Sequence, residues 1–288
     1  MSQSPKVAFA TCSQLPGGWH DDHEAARLAG AEFAVWDDPA VDWEAYDRIV
    51  LRSVWDYSQR PEEFLAWCAA VGPERLRNPP DLVAFDADKR YLGELGVRIA
   101  PTTFVAAGDP LPTLEGEVVV KPNVSAGARD TGRFGPASHA EALALVERIR
   151  ASGRVAIVQS YLADVDRNGE TALVFVAGEL SHVLNKRPVL RGEGEAPLGT
   201  GPLQAAAVMT EDGLVVPAHG DDAQREFAAE VMAAVGERFG TPLYARVDIA
   251  ADDDGQPLLM ELEAIEPCLY FATVPGSAAR FARAVLAC

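Results

Sequence analysis

With 43 acidic against 25 basic side chains in 288 residues, the chain carries a formal charge of −18. So strong an acidic excess argues against nucleic acid or an anionic membrane surface as partner, and an anionic substrate would need a local basic site within a repelling surface. No stretch is long and apolar enough to span a membrane. The cysteines, Cys12, Cys68, Cys268 and Cys288, are scattered and form no Cys-x-x-Cys pair. They read as free thiols rather than a disulfide framework or zinc site. The opening residues run directly into an apolar strand without the shape of a signal peptide, so a cytoplasmic location is expected.

In chain order, residues 6–77 alternate strands and helices. Strands are expected at Lys6–Thr11, Ala31–Trp36 and Arg48–Arg52, with helices at Asp21–Gly30 and Glu62–Val71, each halted by a glycine. That order implies a small parallel sheet and an α/β class. After a break at Asn78-Pro79-Pro80, a helix is expected over Asp86–Leu95. Strands follow at Val97–Val105, Glu117–Lys121 and Ala156–Tyr161. Ser138 and Glu141 have the spacing of a capping box that opens a helix through Arg150. Thr171–Val176 and Glu179–Asn185 form a hairpin around Ala177-Gly178. Residues 187–220 are rich in Gly and Pro without periodicity, as lids often are. Helices are expected over Asp222–Phe239 and Ser277–Leu286.

The most informative chemistry lies between those last two helices. Tyr244–Ala250 and Pro257–Glu263 alternate like half-buried strands around Asp254-Gly255, a hairpin turn signal. With that pair as the turn, Asp248 faces Glu261 and Arg246 faces Glu263, all on one face. Carboxylates directly opposed across a ladder repel, so the cluster calls for a cation. Oxygen-only ligation by Asp248, Glu261 and Glu263 suits Mg2+. A solvated acidic edge accounts for the carboxylates equally well. A three-residue loop would shift the register by one and separate Asp248 from Glu261.

Lysine is scarce, and three of the four, Lys89, Lys121 and Lys186, lie at element boundaries. Compact ammonium groups there suit phosphate oxygens. Lys121 is followed by a small-residue loop containing Ser125, Ala126 and Gly127, which would let backbone N–H groups approach a phosphate; an ordinary surface turn is the plainer reading. Walker A, dinucleotide and Gly-x-Ser-x-Gly patterns are absent from the sequence, and His20 and His23 do not have zinc spacing.

Taken in order, these pieces resemble the ATP-grasp superfamily across residues 86–266. The resemblance implies an α/β fold with α+β lobes, in which an N-terminal α/β domain on the substrate side (1–77) precedes two lobes that close on ATP. The central lobe would be 78–160 and the C-terminal lobe 161–288, with a lid at 187–220. It implies ATP and two Mg2+ ions as cofactors. Lys89, Lys121 and Lys186 would hold phosphates, with Ser125, Ala126 and Gly127 in the loop beside them. Gln159, Ser160, Tyr161 and Leu162 would line the adenine, and Asp166 or Glu170 would accept from the ribose. Asp248, Glu261 and Glu263 would hold metal. Arg246 and Lys186 would act on the reacting groups, and Arg52 would meet a substrate carboxylate. Glu263 stands where many such ligases carry Asn, and Gln159 where an acid is frequent.

Leu51–Tyr57, Asn78–Pro80, Lys89–Leu92, Ser125–Arg129 and Glu261–Pro267 are similar to a narrower group, which contains O-ureido-D-serine cyclo-ligase. That likeness implies an ATP-dependent carboxylate–amine ligase working through an acyl phosphate on a small amino-acid-like substrate. One form is an intramolecular cyclo-ligase that makes D-cycloserine; the form permits a homo-oligomer. The alternatives are an intermolecular amino-acid or peptide ligase and a non-catalytic nucleotide-binding protein.

Overall fold

The apolar runs of the chain condense into three sheets in the computed structural model, which describes residues 4–200 and 205–288. In the first, β1 (Val7–Thr11) lies between β2 (Ala31–Val35) and β3 (Arg48–Ser53), and β4 (Leu76–Arg77) follows β3; all pair in parallel. Parallel neighbours need crossovers, which α1 (His23–Ala29) and α2 (Pro61–Val71) supply. Gly30 ends α1 at φ 64°, a left-handed conformation that glycine adopts without steric cost.

The second sheet is antiparallel. It contains β5 (Thr102–Val105), β6 (Val118–Pro122), β7 (Gly132–Phe134), β8 (Ala156–Ser160) and β11 (Gly194–Glu195), in the order β11-β7-β6-β8-β5. Its apolar face packs on α4 (His139–Ala151) through Leu145, Val146 and Ile149. The third sheet contains β9 (Glu170–Val176), β10 (Glu179–Lys186), β12 (Val215–Ala218), β13 (Tyr244–Ala251) and β14 (Pro257–Glu263). Their order is β12-β10-β9-β13-β14.

Alternation along β13 assigns its two faces. Ala245, Val247 and Ile249 pack on Phe227, Val231 and Val235 of α6 (Asp222–Phe239). Tyr244 faces the other way, into a core shared with α7 (Ser277–Ala287) and with Val7 and Phe9 of the first sheet. Arg246 and Asp248 share that second face by the strand's period of two.

Several elements differ from expectation. The helix expected over Asp86–Leu95 is replaced by α3 (Pro80–Asp86) and a 3-10 turn over Lys89–Gly93. Pro80 suits a first helical turn, and the Asp88 side chain accepts from Arg90 N and diverts the backbone from continuing. Ser138 precedes α4 but makes no capping box; its hydroxyl donates to Glu193 at 2.6 Å, with Gly135 O 3.2 Å away. The box forms instead between Asp221 and Gln224, opening α6. The expected strand Val97–Val105 shortens to β5. Within 187–220, β11 pairs with β7 and β12 with β10, so the described part of that segment is not one unstructured loop. Strands that short, without alternation, leave no sequence signal. A short helix, α5 (Asp164–Asn168), and β7 are further additions.

The turn of the acidic hairpin is also longer than two residues. The strands part after Ala251 and rejoin at Pro257, with Asp252 N donating to Gln256 O at 2.9 Å. Ile249 therefore pairs with Leu259, a register that alone would put Asp248 and Glu261 on opposite faces. A bulge that leaves Met260 unpaired restores Asp248 opposite Glu261 and Arg246 opposite Glu263. The expected facing is therefore reached through the bulge, not the turn.

Asn78 ties the linker to the third sheet. It is buried; its amide donates to the carbonyls of Tyr244 (2.8 Å) and Ala264 (2.7 Å), and its Oδ1 accepts from Leu243 N (2.7 Å). Asn78→Ala leaves these buried backbone groups without partners, each costing about 1–3 kcal/mol. Urea denaturation should show a loss of at least ~2 kcal/mol; an unchanged midpoint would show that water replaces the side chain freely.

Candidate active site

The face of β13 that carries Arg246 and Asp248 leads to a cluster of paired charges. Asp248 has no solvent exposure. Its Oδ1 accepts from Arg246 Nε at 2.8 Å, and its Oδ2 accepts from Arg246 Nη2 (2.9 Å) and Lys186 Nζ (2.6 Å). Lys186, at the end of β10, also donates to Glu170 at 3.0 Å. Arg246 reaches Glu263 through Nη2 and the Cys268 carbonyl through Nη1 at 2.8 Å. Glu261 faces a second set of cations: Lys121 Nζ at 3.2 Å and Lys89 Nζ at 3.9 Å.

These pairings set the protonation states. Burial pushes the Asp248 carboxyl up, but Arg246 and Lys186 outweigh it and hold the group below its usual range. Burial likewise opposes ionisation of Glu261, yet Lys89 and Lys121 pull it down. Burial acts against the charged Lys186 and Arg246, and their acidic partners raise both well above the usual range. Glu263 moves the other way: burial, together with nearby Asp248, exceeds the pull of Arg246 and raises it.

The linker presents Lys89, while Lys121 comes from β6. Lys89 Nζ donates to Ser125 O at 3.0 Å, and its backbone N–H to Asn123 O at 2.8 Å, which fixes it against the small-residue loop. Tyr91 holds the peptide between the two acids of β14: its hydroxyl donates to Leu262 O and accepts from Leu262 N, both at 2.8 Å. Asp86 Oδ2 accepts from Ala264 N at 2.8 Å. The edge strand is thus closed by side chains of the preceding segment. Gly127, at φ 65°, accepts from Ala206 N at 2.7 Å, so the 187–220 segment lies over this loop. A Cβ at Gly127 would meet Ala205 at 2.7 Å.

Other expected residues are placed differently. The Gln159 side chain is buried and donates to Thr102 Oγ1 at 2.9 Å, inside the second sheet. The backbone N–H groups of Ser160 and Tyr161 donate to Pro101 O (2.9 Å) and Glu117 O (2.8 Å). Leu162 follows them toward α5. Asp166 is held by Arg133 and Tyr161. Arg52 is 2% exposed; Nε donates to Asp22 and Nη2 to Pro267 O, both at 2.9 Å, and Nη1 has no partner among the described residues.

The three acids do not form a ready metal site. Among the described residues, no group of three or more His, Cys, Asp or Glu is gathered to hold an ion. The repulsion expected between them is relieved by lysine and arginine instead. Among the described residues no helix is long and apolar enough to cross a membrane, and the cysteines are free.

Sequence reasoning missed several groups. Glu266, three residues beyond Glu263, is raised well above the usual range by burial and by Glu263, and its carboxyl meets the Tyr57 hydroxyl. Asp86 is pushed up to about 7, chiefly by burial, and its Oδ1 has no partner among the described residues. Tyr270 adopts φ 52°, unusual for a bulky residue, with its ring centroid 5.9 Å from the Arg246 guanidinium. The acidic spacing at 261, 263 and 266 could have exposed Glu266; nothing in the sequence signals the other two.

Comparison with known proteins places this geometry. Residues 7–78 match the family model of the D-cycloserine synthetase DcsG N-terminal domain. The chain is 36% identical over 281 residues to the cycloserine biosynthesis protein DcsG of Streptomyces lavendulae, covering 91% of this chain and 90% of that one. A crystal structure of D-cycloserine synthetase DcsG superposes with a TM-score of 0.84 at 32% identity, covering 98% of each chain. D-alanine–D-alanine ligase from Bacillus anthracis, complexed with ATP, shares the fold at a TM-score of 0.61 and 12% identity, over 99% of this chain and 97% of that one. The chain is an enzyme with the ATP-grasp fold, an ATP-dependent ligase. Within that class it belongs to the D-cycloserine synthetase DcsG family.

Because Glu261 is held ionised by lysines, Glu261→Gln should destabilise the metal-free protein at pH 7. A carboxyl whose folded pKa lies below its unfolded value stabilises above the unfolded pKa, and the gain is lost as pH falls toward the folded one. Urea midpoints measured in chelator should therefore separate wild type from variant at pH 7, and the gap should begin to narrow only as pH falls below about 4.3. A variant as stable as wild type at pH 7 would mean that carboxylate repulsion dominates at this position.

Proposed function

We propose that this enzyme activates a substrate carboxylate with ATP as an acyl phosphate and lets a nitrogen of the same molecule displace the phosphate. The substrate of this reading is O-ureido-D-serine and the product D-cycloserine. The observation that carries it is the paired-charge cluster, set in a chain related to DcsG over 91% of its length. Each acid that could hold metal is matched by a cation that could hold phosphate.

Lys89, Lys121 and Lys186 hold the nucleotide phosphates, with the Ser125-Ala126-Gly127 backbone beside them. The segment Gln159–Leu162 lines the base through its backbone, since the Gln159 amide is committed to Thr102. Oxygen-only donors fit Mg2+; Glu261 and Glu263, both half-buried, would hold it, joined by Asp248 through the oxygen now shared by Arg246 and Lys186. When bound, the metal neutralises charge on the phosphates. Two ions are expected.

The carboxylate oxygen attacks the γ-phosphorus and ADP leaves; the oxygen-bound nitrogen of the ureido group then attacks the acyl carbon, losing its proton as phosphate leaves, and water removes the carbamoyl group from that nitrogen as carbon dioxide and ammonia. Arg246 directs its guanidinium at the oxyanion formed in the second step. Arg52, whose Nη1 is buried and has no partner among the described residues, is assigned to the substrate end. On this reading 1–77 is the substrate-side domain, 78–160 and 161–288 are the closing lobes, and 187–220 is the lid that keeps water from the acyl phosphate. A reaction that consumes ATP and a small amino-acid-like substrate belongs in the cytoplasm.

Mg-ATP should raise the melting temperature, because a ligand that binds only the folded state stabilises it by about 2.7 kcal/mol at a hundredfold excess over Kd. Absence of any shift at millimolar Mg-ATP would overturn the nucleotide assignment.

Arg246→Lys should bind ATP nearly as wild type while turnover of O-ureido-D-serine, followed by mass spectrometry, falls by about a hundredfold. Equal losses in ATP affinity and rate would instead place Arg246 on the nucleotide.

A further inference from the structure

The chain after β14 is pinned at successive backbone groups as it passes the charge cluster. Trp55 Nε1 donates to Glu266 O at 3.0 Å, Arg52 Nη2 to Pro267 O at 2.9 Å, and Arg246 Nη1 to Cys268 O at 2.8 Å. His182 Nε2 lies 2.7 Å from Leu269 O, so that nitrogen carries the proton. The N–H groups of Phe271 and Ala272 donate to the two oxygens of Asp21, both at 2.8 Å. Trp55, Arg52 and Asp21 belong to the first sheet and its connections, Arg246 and His182 to the third sheet. The segment is thus held from both sides. Pro267, Leu269 and Phe271 are buried, and Cys268 and Tyr270 alternate with them, half-buried.

Tyr270 stands between the His182 and Asp21 anchors, at φ 52°. A left-handed backbone suits Gly or Asn; for a bulky residue it is costly, and such conformations gather where a site dictates them. The ring packs only in part on the core below it, and its centroid lies 5.9 Å from the Arg246 guanidinium carbon. Its hydroxyl has no hydrogen-bond partner among the described residues. Burial raises its pKa above the usual range, so the phenol stays neutral and keeps its proton to donate, although the charges of Arg246, Lys186 and Glu263 reach it.

A neutral donor at this place suits one group of the substrate. O-ureido-D-serine carries a carboxylate, which cations match, an ammonium, which needs acceptors, and an uncharged ureido carbonyl, which needs a donor. Ring closure also fixes where that carbonyl lies. The attacking nitrogen must reach the acyl carbon whose oxyanion Arg246 meets. The carbonyl is bonded to that nitrogen, so it falls beside Arg246, where Tyr270 stands. We propose that Tyr270 is a specificity-determining residue whose hydroxyl donates to the ureido carbonyl oxygen. The assignment rests on the reaction proposed above.

The test compares two substrates in two full-length proteins. O-amino-D-serine is O-ureido-D-serine without its carbamoyl group; it can close the same ring and lacks the carbonyl. For both compounds kcat/KM is measured by ADP release, with D-cycloserine followed by mass spectrometry, in wild type and in Tyr270→Phe. The variant keeps the ring and every backbone bond. Amine and ureide differ in intrinsic reactivity, so the change in their ratio between the two proteins is what decides. Tyr270→Phe should lose about fivefold to tenfold on O-ureido-D-serine, the worth of one neutral hydrogen bond, and less than about twofold on O-amino-D-serine. Equal losses on both would make Tyr270 a wall of the site, and no loss on either would leave its hydroxyl without a role; each overturns the proposal. If O-amino-D-serine binds but is not turned over, its Ki as a competitor replaces its kcat/KM. A Ki unchanged by Tyr270→Phe supports the assignment, and one raised as far as the loss on O-ureido-D-serine overturns it. An unchanged ratio in proteins that turn over O-ureido-D-serine overturns this assignment alone; wild type that makes no D-cycloserine from it overturns the proposed function as well.

Discussion

Asp248 is a carboxylate with no contact with solvent, and the organisation of the charge cluster stems from the need to neutralise it. An ionised acid removed from water is tolerated only with strong partners. Arg246 and Lys186 approach it from two different strands, so β10 and β13 must both be held in register with β9 between them. Such a pair is a weak source of net stability, since desolvation offsets much of the attraction; removing one partner is what costs heavily. Its value lies in specification: a backbone arrangement that misplaced either cation would leave a bare buried charge.

The same requirement reaches the edge strand. Arg246 also engages Glu263, while Glu261 turns to Lys121 and Lys89, so the two acids of β14 belong to different cation sets. Their spacing depends on the Met260 bulge and on Tyr91, which grips both backbone groups of Leu262 between them. A strand edge otherwise open to pairing is thereby closed, and the same segment carries Lys89 into place. Fold and site share these contacts and cannot be separated.

The first sheet belongs to this arrangement as well. Val7 and Phe9 enter the core beneath Tyr244, and the Tyr244 hydroxyl lies 2.7 Å from the carbonyls of both Leu51 and Ile265. Arg52 joins β3 to the segment after β14 through Pro267. Relationship to DcsG extends through this part of the chain, where the family model matches. Likeness to D-alanine–D-alanine ligase, at 12% identity, is of fold alone.

Periodicity by itself determined the long elements: α6 lies over the expected residues, and the strands that carry Arg246, Asp248, Glu261 and Glu263 lie where alternation puts them. It determined the candidate charges too, because scarce lysines at element ends and acids alternating on a strand are visible locally. The tertiary structure decided which charge meets which. Arg246 and Lys186 are far apart in sequence and converge on one carboxylate only because β9 lies between their strands. The hold of Arg133 on Asp166 could not be read, since a three-residue strand has no period to detect and the partners of Arg133 are contributed by four other segments. The facing of Asp248 with Glu261 and of Arg246 with Glu263 was legible, but not how it is reached: turn chemistry acts at one end of the ladder, and the bulge that restores the pairing is decided elsewhere along it.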